Sequence, residues 1–173
     1  EMILGQDSNF TYDALLTRYN SDLANDYGNL ASRTLSMIGK YFEGVVPPEG
    51  SATKLEQAEQ RVQEFARKTI SDVQTSFDNY EFSRGLEAVW SLVSTLNKYL
   101  VETKPWELAS DEKNRERLGA VLWTAAESTR IVTALLAPVI PEATQKIWEQ
   151  IGLEGELGSL QLDSLTWGGL KSG

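Results

Sequence analysis

The 173-residue chain contains neither cysteine nor histidine, and these two absences exclude several kinds of active site. Without cysteine the chain can form no disulfide and can offer no thiolate nucleophile. Without histidine it can build neither a Ser-His-Asp triad nor a Cys-His pair, and a zinc site would have to consist of carboxylates. Pairs of Asp or Glu could still act as acid and base. The acidic residues, however, fall mostly on the polar faces of predicted helices, where solvated charge is expected.

Long apolar runs are also absent, since none reaches the roughly 18–20 residues that a membrane-spanning helix needs. We therefore expect no membrane partner. The chain begins with Glu1 rather than Met, and no signal-peptide pattern follows. These features predict a fragment of a longer protein, and the lack of cysteine suits a reducing compartment such as the cytoplasm.

Positive charge is scarce, because 16 Lys and Arg residues face 25 Asp and Glu residues, which gives a net charge of −9 and a pI near 4.6. Phosphate neutralisation supplies most of the non-specific affinity of proteins for nucleic acids. A broad nucleic-acid-binding surface is therefore excluded. Any RNA site has to be small and must depend on stacking and hydrogen bonds more than on charge.

What the sequence does contain is a succession of helical patterns, with apolar residues at spacings of three and four. We predict an all-α fold, a bundle of four to five long helices over about 11–151, followed by a tail at 152–173, all in a single domain covering 1–173. The tail carries alternating leucines and could add one short strand or lie extended. The predicted helices are a first one capped by Thr11, then about 21–42, about 25 residues capped by Ser51, about 83–103, about 111–136 and about 142–151.

The helix predicted at 21–42 carries a polar stripe beside its apolar one. At about 100° per residue, Asn29, Arg33, Ser36 and Lys40 fall within about 60° of one another, away from the leucines of the apolar stripe. An amide can donate and accept on a base edge, and a guanidinium can bond bidentately or stack. A solvated helix face is the more ordinary explanation of this spacing, and the spacing alone leaves both interpretations open.

A second candidate is the corner formed by Lys104, Pro105 and Trp106, between two predicted helices. Proline in the first turn of a helix fixes the backbone that presents the next residue. Trp106 lies beyond the apolar stripe of the preceding helix, whereas Trp90, Trp123 and Trp148 fall on apolar faces and are predicted to be core. An exposed, rigid indole is suited to stacking on an unpaired base. A tryptophan that covers the end of the bundle is the alternative.

Five segments follow one another along the chain: 18–30 with Arg33 and Thr34, Asn97-Lys98-Tyr99, Lys104-Pro105-Trp106, 135–141 and Trp167-Gly168-Gly169-Leu170. Together they resemble the anticodon-binding domain of class I aminoacyl-tRNA synthetases, closest to the methionyl branch. The resemblance covers nearly the whole chain with the segments in the same order. The Gly-Asn-Leu helix is shared with the valyl, leucyl and isoleucyl relatives, while Lys-Pro-Trp points to the methionyl branch.

The resemblance implies a role for each candidate. Trp106 would stack on an anticodon base, Pro105 would orient its ring, and Asn29 and Arg33 would hydrogen-bond to the CAU anticodon. Lys40 would meet a base or a phosphate. The implied partners are the anticodon loop of tRNA(Met) and the catalytic domain of the same polypeptide.

The catalytic parts of that family do not carry over to this chain. The family's nucleotide site uses a histidine-bearing HIGH-type motif and a lysine-bearing KMSKS-type loop, and the chain contains no histidine and no such loop. ATP and methionine would bind the missing catalytic domain, so we expect no cofactor and no catalysis here. Two alternatives stay open: the anticodon-binding domain of a valyl or isoleucyl synthetase, and a helical protein-interaction module with no RNA role.

Overall fold

The computed structural model describes residues 11–18, 25–49 and 56–173, and these ranges contain helices and turns but no strand. The predicted all-α bundle is confirmed. None of the helices in the described ranges is both long enough and apolar enough to cross a membrane. The helices are α1 (Tyr12–Arg18), α2 (Asn29–Phe42), α3 (Gln57–Asp78), α4 (Phe82–Thr103), α5 (Pro105–Leu108), α6 (Arg115–Leu136) and α7 (Pro141–Gln150).

Helix ends lie where the local chemistry satisfies the free backbone groups. The side-chain oxygen of Thr11 accepts a hydrogen bond from the N–H of Ala14 at 3.2 Å, which confirms Thr11 as the cap of α1. Helix α2 ends at Phe42, because Glu43 adopts a left-handed conformation (φ 55°) and its N–H bonds to the carbonyl of Ile38. The predicted end of this helix at about residue 42 is therefore confirmed.

The predicted start of the third helix was wrong. Helix α3 begins at Gln57, because Glu56 is extended (φ −75°, ψ 169°) and forms a capping box with Glu59. Two carboxylates three residues apart thus determine the start of this helix. Ser51, the predicted cap, lies outside the described residues.

The start of α6 and the conformation of the tail also differ from the prediction. Helix α6 begins at Arg115, since Asp111 caps a 3-10 turn at Glu112–Asn114 by accepting from the N–H of Lys113. The tail forms 3-10 turns at Leu157–Ser159 and Leu162–Ser164 rather than a strand. A single strand would have no partner for its backbone groups within an all-helical fold.

Helix α6 is the centre of the bundle, and every residue from Leu118 to Leu136 is buried. It packs against α2, α3, α4 and α7. Trp123 and Trp148 lie in the core as predicted, while Trp90 is only half-buried at its edge. Because α6 is enclosed on all sides, the candidate side chains for binding stand on the outer helices and on the corner before α6.

Candidate functional site

The chain turns sharply at the end of α4, and this corner presents Trp106. Lys104 is left-handed (φ 46°, ψ 61°), its N–H bonds to the carbonyl of Leu100 at 3.2 Å, and α5 starts at once with Pro105. Pro105 is buried, whereas Trp106 is 43% exposed. The proline therefore anchors the turn in the protein, and the indole is held out at the surface.

The surroundings of Trp106 leave its ring available. No described residue accepts a hydrogen bond from its indole N–H, and its large face is not stacked on another ring of the described chain. The ammonium of Lys104 reaches over the turn to the carboxylate of Glu107 at 3.0 Å. Both of those side chains are more than half exposed, so this pair contributes little to stability.

The polar residues of α2 occupy its outward side. Leu30 and Ile38 are buried, Asn29 and Lys40 are exposed, and Arg33 is half-buried. No hydrogen-bond partner of the Asn29 or Arg33 side chain is found among the described residues. Among the described residues, therefore, no partner competes with a ligand for this amide and this guanidinium.

Ser36, which helical spacing grouped with these residues, turns towards a different surface. It lines an open groove of about 570 Å³ between α2, α6 and α7, together with small and apolar residues such as Gly28, Ile147 and Gly152. Lys40 lies on the other flank of the helix, beside α5. The predicted stripe is thus divided, and only Asn29, Arg33 and Lys40 remain candidates for a common surface.

Helix α2 is held beside the Trp106 corner by contacts near both of its ends. The side-chain amide of Asn97 on α4 donates to the carbonyl of Asp26 at 3.3 Å, and Arg115 at the start of α6 donates to the carbonyl of Tyr41 at 3.1 Å. Helix α5 connects α4 to α6 between these two anchors. The two ends of α2 are therefore held against α4 and α6, the helices that the corner connects.

A shallow depression of about 200 Å³ joins the two elements directly. Lys40 and Tyr41 of α2 line it together with Leu108 of α5 and Arg115 of α6. The Lys40 ammonium lies 5.1 Å from the centre of the Tyr41 ring. Sequence reasoning missed Arg115, because its partners Tyr41 and Phe42 lie more than 70 residues earlier in the chain.

A buried carboxylate binds the two helices on either side of this corner, and the sequence did not predict it. Glu59 is fully buried and accepts hydrogen bonds from the Tyr99 hydroxyl (2.5 Å) and from Arg117 (2.9 Å). Burial, and then the charge of Glu59, raise the pKa of Tyr99 far above its usual value. Burial alone would lower the pKa of Arg117, but the hydrogen bond and charge of Glu59 raise it. The phenol is therefore neutral and the guanidinium charged at neutral pH.

A second buried carboxylate, Glu127, binds the end of the chain. Its two oxygens accept from Arg130 at 2.7 and 2.8 Å and from the backbone N–H groups of Gly168, Gly169 and Leu170 at 2.7, 3.2 and 3.0 Å. Gly168 has φ +90°, and a Cβ on Gly169 would lie 2.8 Å from the Arg130 guanidinium. We call this arrangement of Glu127, Arg130 and the backbone of residues 168–170 the C-terminal clasp. Both glycines of Trp-Gly-Gly-Leu are required for it.

Comparison with known proteins locates these features within a family. Residues 61–165 match the family model described as the anticodon-binding domain of tRNA ligase. The chain is 43% identical over 173 residues to the methionine–tRNA ligase of Caldanaerobacter subterraneus, covering 100% of this chain and 26% of that protein. It is 39% identical over 176 residues to the enzyme of Streptomyces coelicolor, covering 98% and 32%.

Solved structures agree with these sequence similarities. The apo form of Mycobacterium tuberculosis methionyl-tRNA synthetase superimposes with a TM-score of 0.89 at 32% identity, covering 100% of this chain and 34% of that one. The form bound by methionyl-adenylate gives 0.87 at 31% identity, covering 99% and 33%. The chain therefore spans about a quarter to a third of the length of the relatives it matches.

Proposed function

The chain belongs to the family of anticodon-binding domains of tRNA ligases, in its methionyl branch, and from this premise we propose that it recognises the CAU anticodon of methionine tRNA. One observation carries the proposal: an exposed indole, Trp106, is mounted on a buried proline at the start of α5, and α5 shares a depression with Lys40 of α2, whose outward side also carries Asn29 and Arg33. An unpaired base can stack on such a ring while its edge is read by hydrogen bonds.

Each candidate residue has a distinct task in this proposal. Trp106 stacks on one anticodon base, and Pro105 holds the backbone that orients the ring. Asn29 and Arg33 read base edges, because an amide offers a donor and an acceptor and a guanidinium bonds in a fork. Lys40, on the same side of α2 beside the depression, contacts a phosphate or a base.

The acidic composition limits how the RNA is bound. With a net charge of −9, the chain has little electrostatic attraction for RNA, so stacking must supply much of the affinity. One base–aromatic stack contributes about 1–3 kcal/mol and needs no net positive charge. Binding should therefore weaken only shallowly with added salt, because few phosphates are neutralised.

The wider role follows from the family and is part of the same proposal. The relatives are about three to four times longer than this chain, which contains neither catalytic motif of the class I enzymes. We propose that this domain positions tRNA(Met) for methionylation by the catalytic domain of the same polypeptide, in the cytoplasm. ATP and methionine would bind that other domain, and this chain would catalyse nothing by itself.

A titration of the 173-residue chain with short RNA hairpins tests the proposal. A CAU anticodon stem-loop is added while Trp fluorescence is followed, and a hairpin with the same stem and a UAC loop is the control. We expect binding of the CAU loop with quenching of the exposed indole, and much weaker binding of the control. An equal, weak response to both loops would contradict recognition of the anticodon and favour a protein-interaction module.

A further inference from the structure

We propose that Glu59 is a positioning residue for Trp106, because its buried carboxylate ties together the helix ends that surround the corner. Glu59 touches no ligand in this proposal and acts on the indole through α5. The inference rests on the proposed function, since it assigns Trp106 the task of stacking on a base. It concerns a residue 47 positions away in sequence from the ring that it holds.

The hydrogen bonds of Glu59 join three elements at one point. One oxygen accepts from the Tyr99 hydroxyl near the end of α4 and from Arg117 in the first turn of α6. The other oxygen accepts from the N–H of Glu56, which caps α3, at 3.0 Å. Arg117 also reaches the exposed carboxylate of Glu56 at 3.1 Å. The start of α3, the end of α4 and the start of α6 are thereby held in one arrangement.

These ties control the corner because its chain enters and leaves through the tied helices. The hydroxyl of Thr103 donates to the carbonyl of Tyr99 at 2.7 Å, and the N–H of Lys104 donates to the next carbonyl, that of Leu100. Helix α5 then leads to the start of α6, where Arg117 is held. A turn fixed at both ends leaves the indole few orientations, and preorganisation of this kind favours binding.

Stability alone does not explain a charged network at this place. Burying an ion pair costs so much hydration that apolar side chains of similar volume often stabilise a protein as well or better. One nitrogen of Arg117, Nη1, is buried without any partner among the described residues, which adds to that cost. Directional hydrogen bonds, unlike apolar contacts, define one geometry among the three helix ends.

The test compares two variants that each neutralise one buried carboxylate. Glu59→Gln removes the charge beneath the corner, and Glu127→Gln removes the equally buried charge of the C-terminal clasp. Both chains are labelled with 5-fluorotryptophan, and the fluorine resonance of Trp106 is assigned with a Trp106→Phe chain. Affinities for the CAU and UAC stem-loops are measured in parallel by fluorescence anisotropy of labelled RNA.

We expect Glu59→Gln to shift or broaden the Trp106 resonance without RNA and to weaken CAU binding about fivefold or more, the lower end of what one stack contributes. Glu127→Gln should lower the unfolding midpoint yet leave the Trp106 resonance and the CAU affinity unchanged. An unchanged Trp106 resonance in a folded Glu59→Gln chain would overturn the positioning role. Equal changes of the Trp106 resonance and of the CAU affinity in both variants would also overturn it, since they would reflect a general loss of stability.

A milder variant covers the case in which Glu59→Gln does not fold. Tyr99→Phe removes one hydroxyl and no charge, and it should alter the Trp106 resonance in the same direction by a smaller amount. No change there would contradict the proposal. The two proposals fail separately: a wild-type chain that does not prefer CAU refutes the anticodon function, while the fluorine spectra without RNA still decide whether Glu59 holds the ring.

Discussion

Two fully buried carboxylates, Glu59 and Glu127, each bind an arginine of α6, but they are surrounded by different groups. From the described residues Glu127 receives five hydrogen bonds, two from Arg130 and three from backbone N–H groups of the C-terminal segment. Within the same ranges Glu59 receives three, and they come from the beginning of α3, the end of α4 and the beginning of α6. The first site fastens one segment to one helix, whereas the second joins three helix ends.

The arginines that bind these two carboxylates also differ in exposure. The side chain of Arg130 is 7% exposed and that of Arg117 is 20% exposed. Water can therefore relieve an unpaired charge on Arg117 more easily than one on Arg130. We conclude that the C-terminal clasp contributes mainly to stability, while the Glu59 network contributes less stability and more geometric control at the corner.

The largest loss in the free energy of unfolding should come from removing the charge of the carboxylate in the C-terminal clasp. Glu127→Gln leaves Arg130 as an uncompensated buried charge, and such changes cost about 3–5 kcal/mol. Urea unfolding followed by circular dichroism measures the loss. The same substitution at Glu59 should cost clearly less, and equal losses at the two positions would contradict the distinction drawn between them.

A smaller loss in the free energy of unfolding is expected when a methyl group is added on the glycine side of the C-terminal clasp. Gly169→Ala places a Cβ about 2.8 Å from the guanidinium of Arg130, which is buried and hydrogen-bonded and cannot move aside freely. Overpacking of this kind costs about 1–3 kcal/mol. Gly158→Ala is the matched control, because no atom lies within 4 Å of its added Cβ. A Gly169→Ala chain as stable as that control would show that the clasp is loose.

The smallest loss in the free energy of unfolding should come from a change in the corner network, which consists of Glu59, Tyr99 and Arg117. Tyr99→Phe removes one buried hydroxyl and leaves Glu59 with Arg117, so the expected loss is about 0.5–1.5 kcal/mol in urea unfolding at neutral pH. A loss larger than that of Glu127→Gln would reverse the order of the two sites.

Alkaline pH separates the two sites further, because only the corner network contains a phenol. The folded-state pKa of Tyr99 lies above 10.0, the ordinary value of a tyrosine, so at high pH the folded chain keeps a proton that the unfolded chain loses. Its contribution to stability is complete below pH 10 and declines as the pH rises above that value. The advantage of wild type over Tyr99→Phe should therefore shrink above pH 10. Tyr27, with its pKa raised by burial to about 12, affects both chains alike.

The sequence predicted the exposed side of this surface better than its buried support. Helical spacing and the Pro-Trp dipeptide were sufficient to place Asn29 and Trp106 outside the core, because amphipathic periodicity and proline geometry are local properties. The acidic residues were expected mostly on solvated faces, yet Glu59 and Glu127 are fully buried. Each has one partner three residues away, but the others lie 40 to 58 and 41 to 43 residues further along the chain, beyond the reach of any local pattern.

The start of α3 was not predicted, and the reason again involves a contact that is distant in the sequence. The start of α3 depends on a capping box of two glutamates, and the second of them, Glu59, is at the same time the centre of the corner network. Ser51 offered a more familiar cap in the sequence. The start of α3 thus depends on a glutamate that also binds α4 and α6, and the sequence pattern does not show those contacts.

The most direct test of the account is the discrimination between CAU and UAC stem-loops by a chain that lacks the Trp106 ring. Trp106→Ala is compared with Tyr80→Ala, which removes an aromatic ring that is 69% exposed at the opposite end of α4. Anisotropy of labelled RNA gives both dissociation constants, and circular dichroism checks helicity. We predict that Trp106→Ala abolishes the preference for CAU with helicity unchanged, while Tyr80→Ala retains it. A CAU preference that survives Trp106→Ala would contradict the central claim.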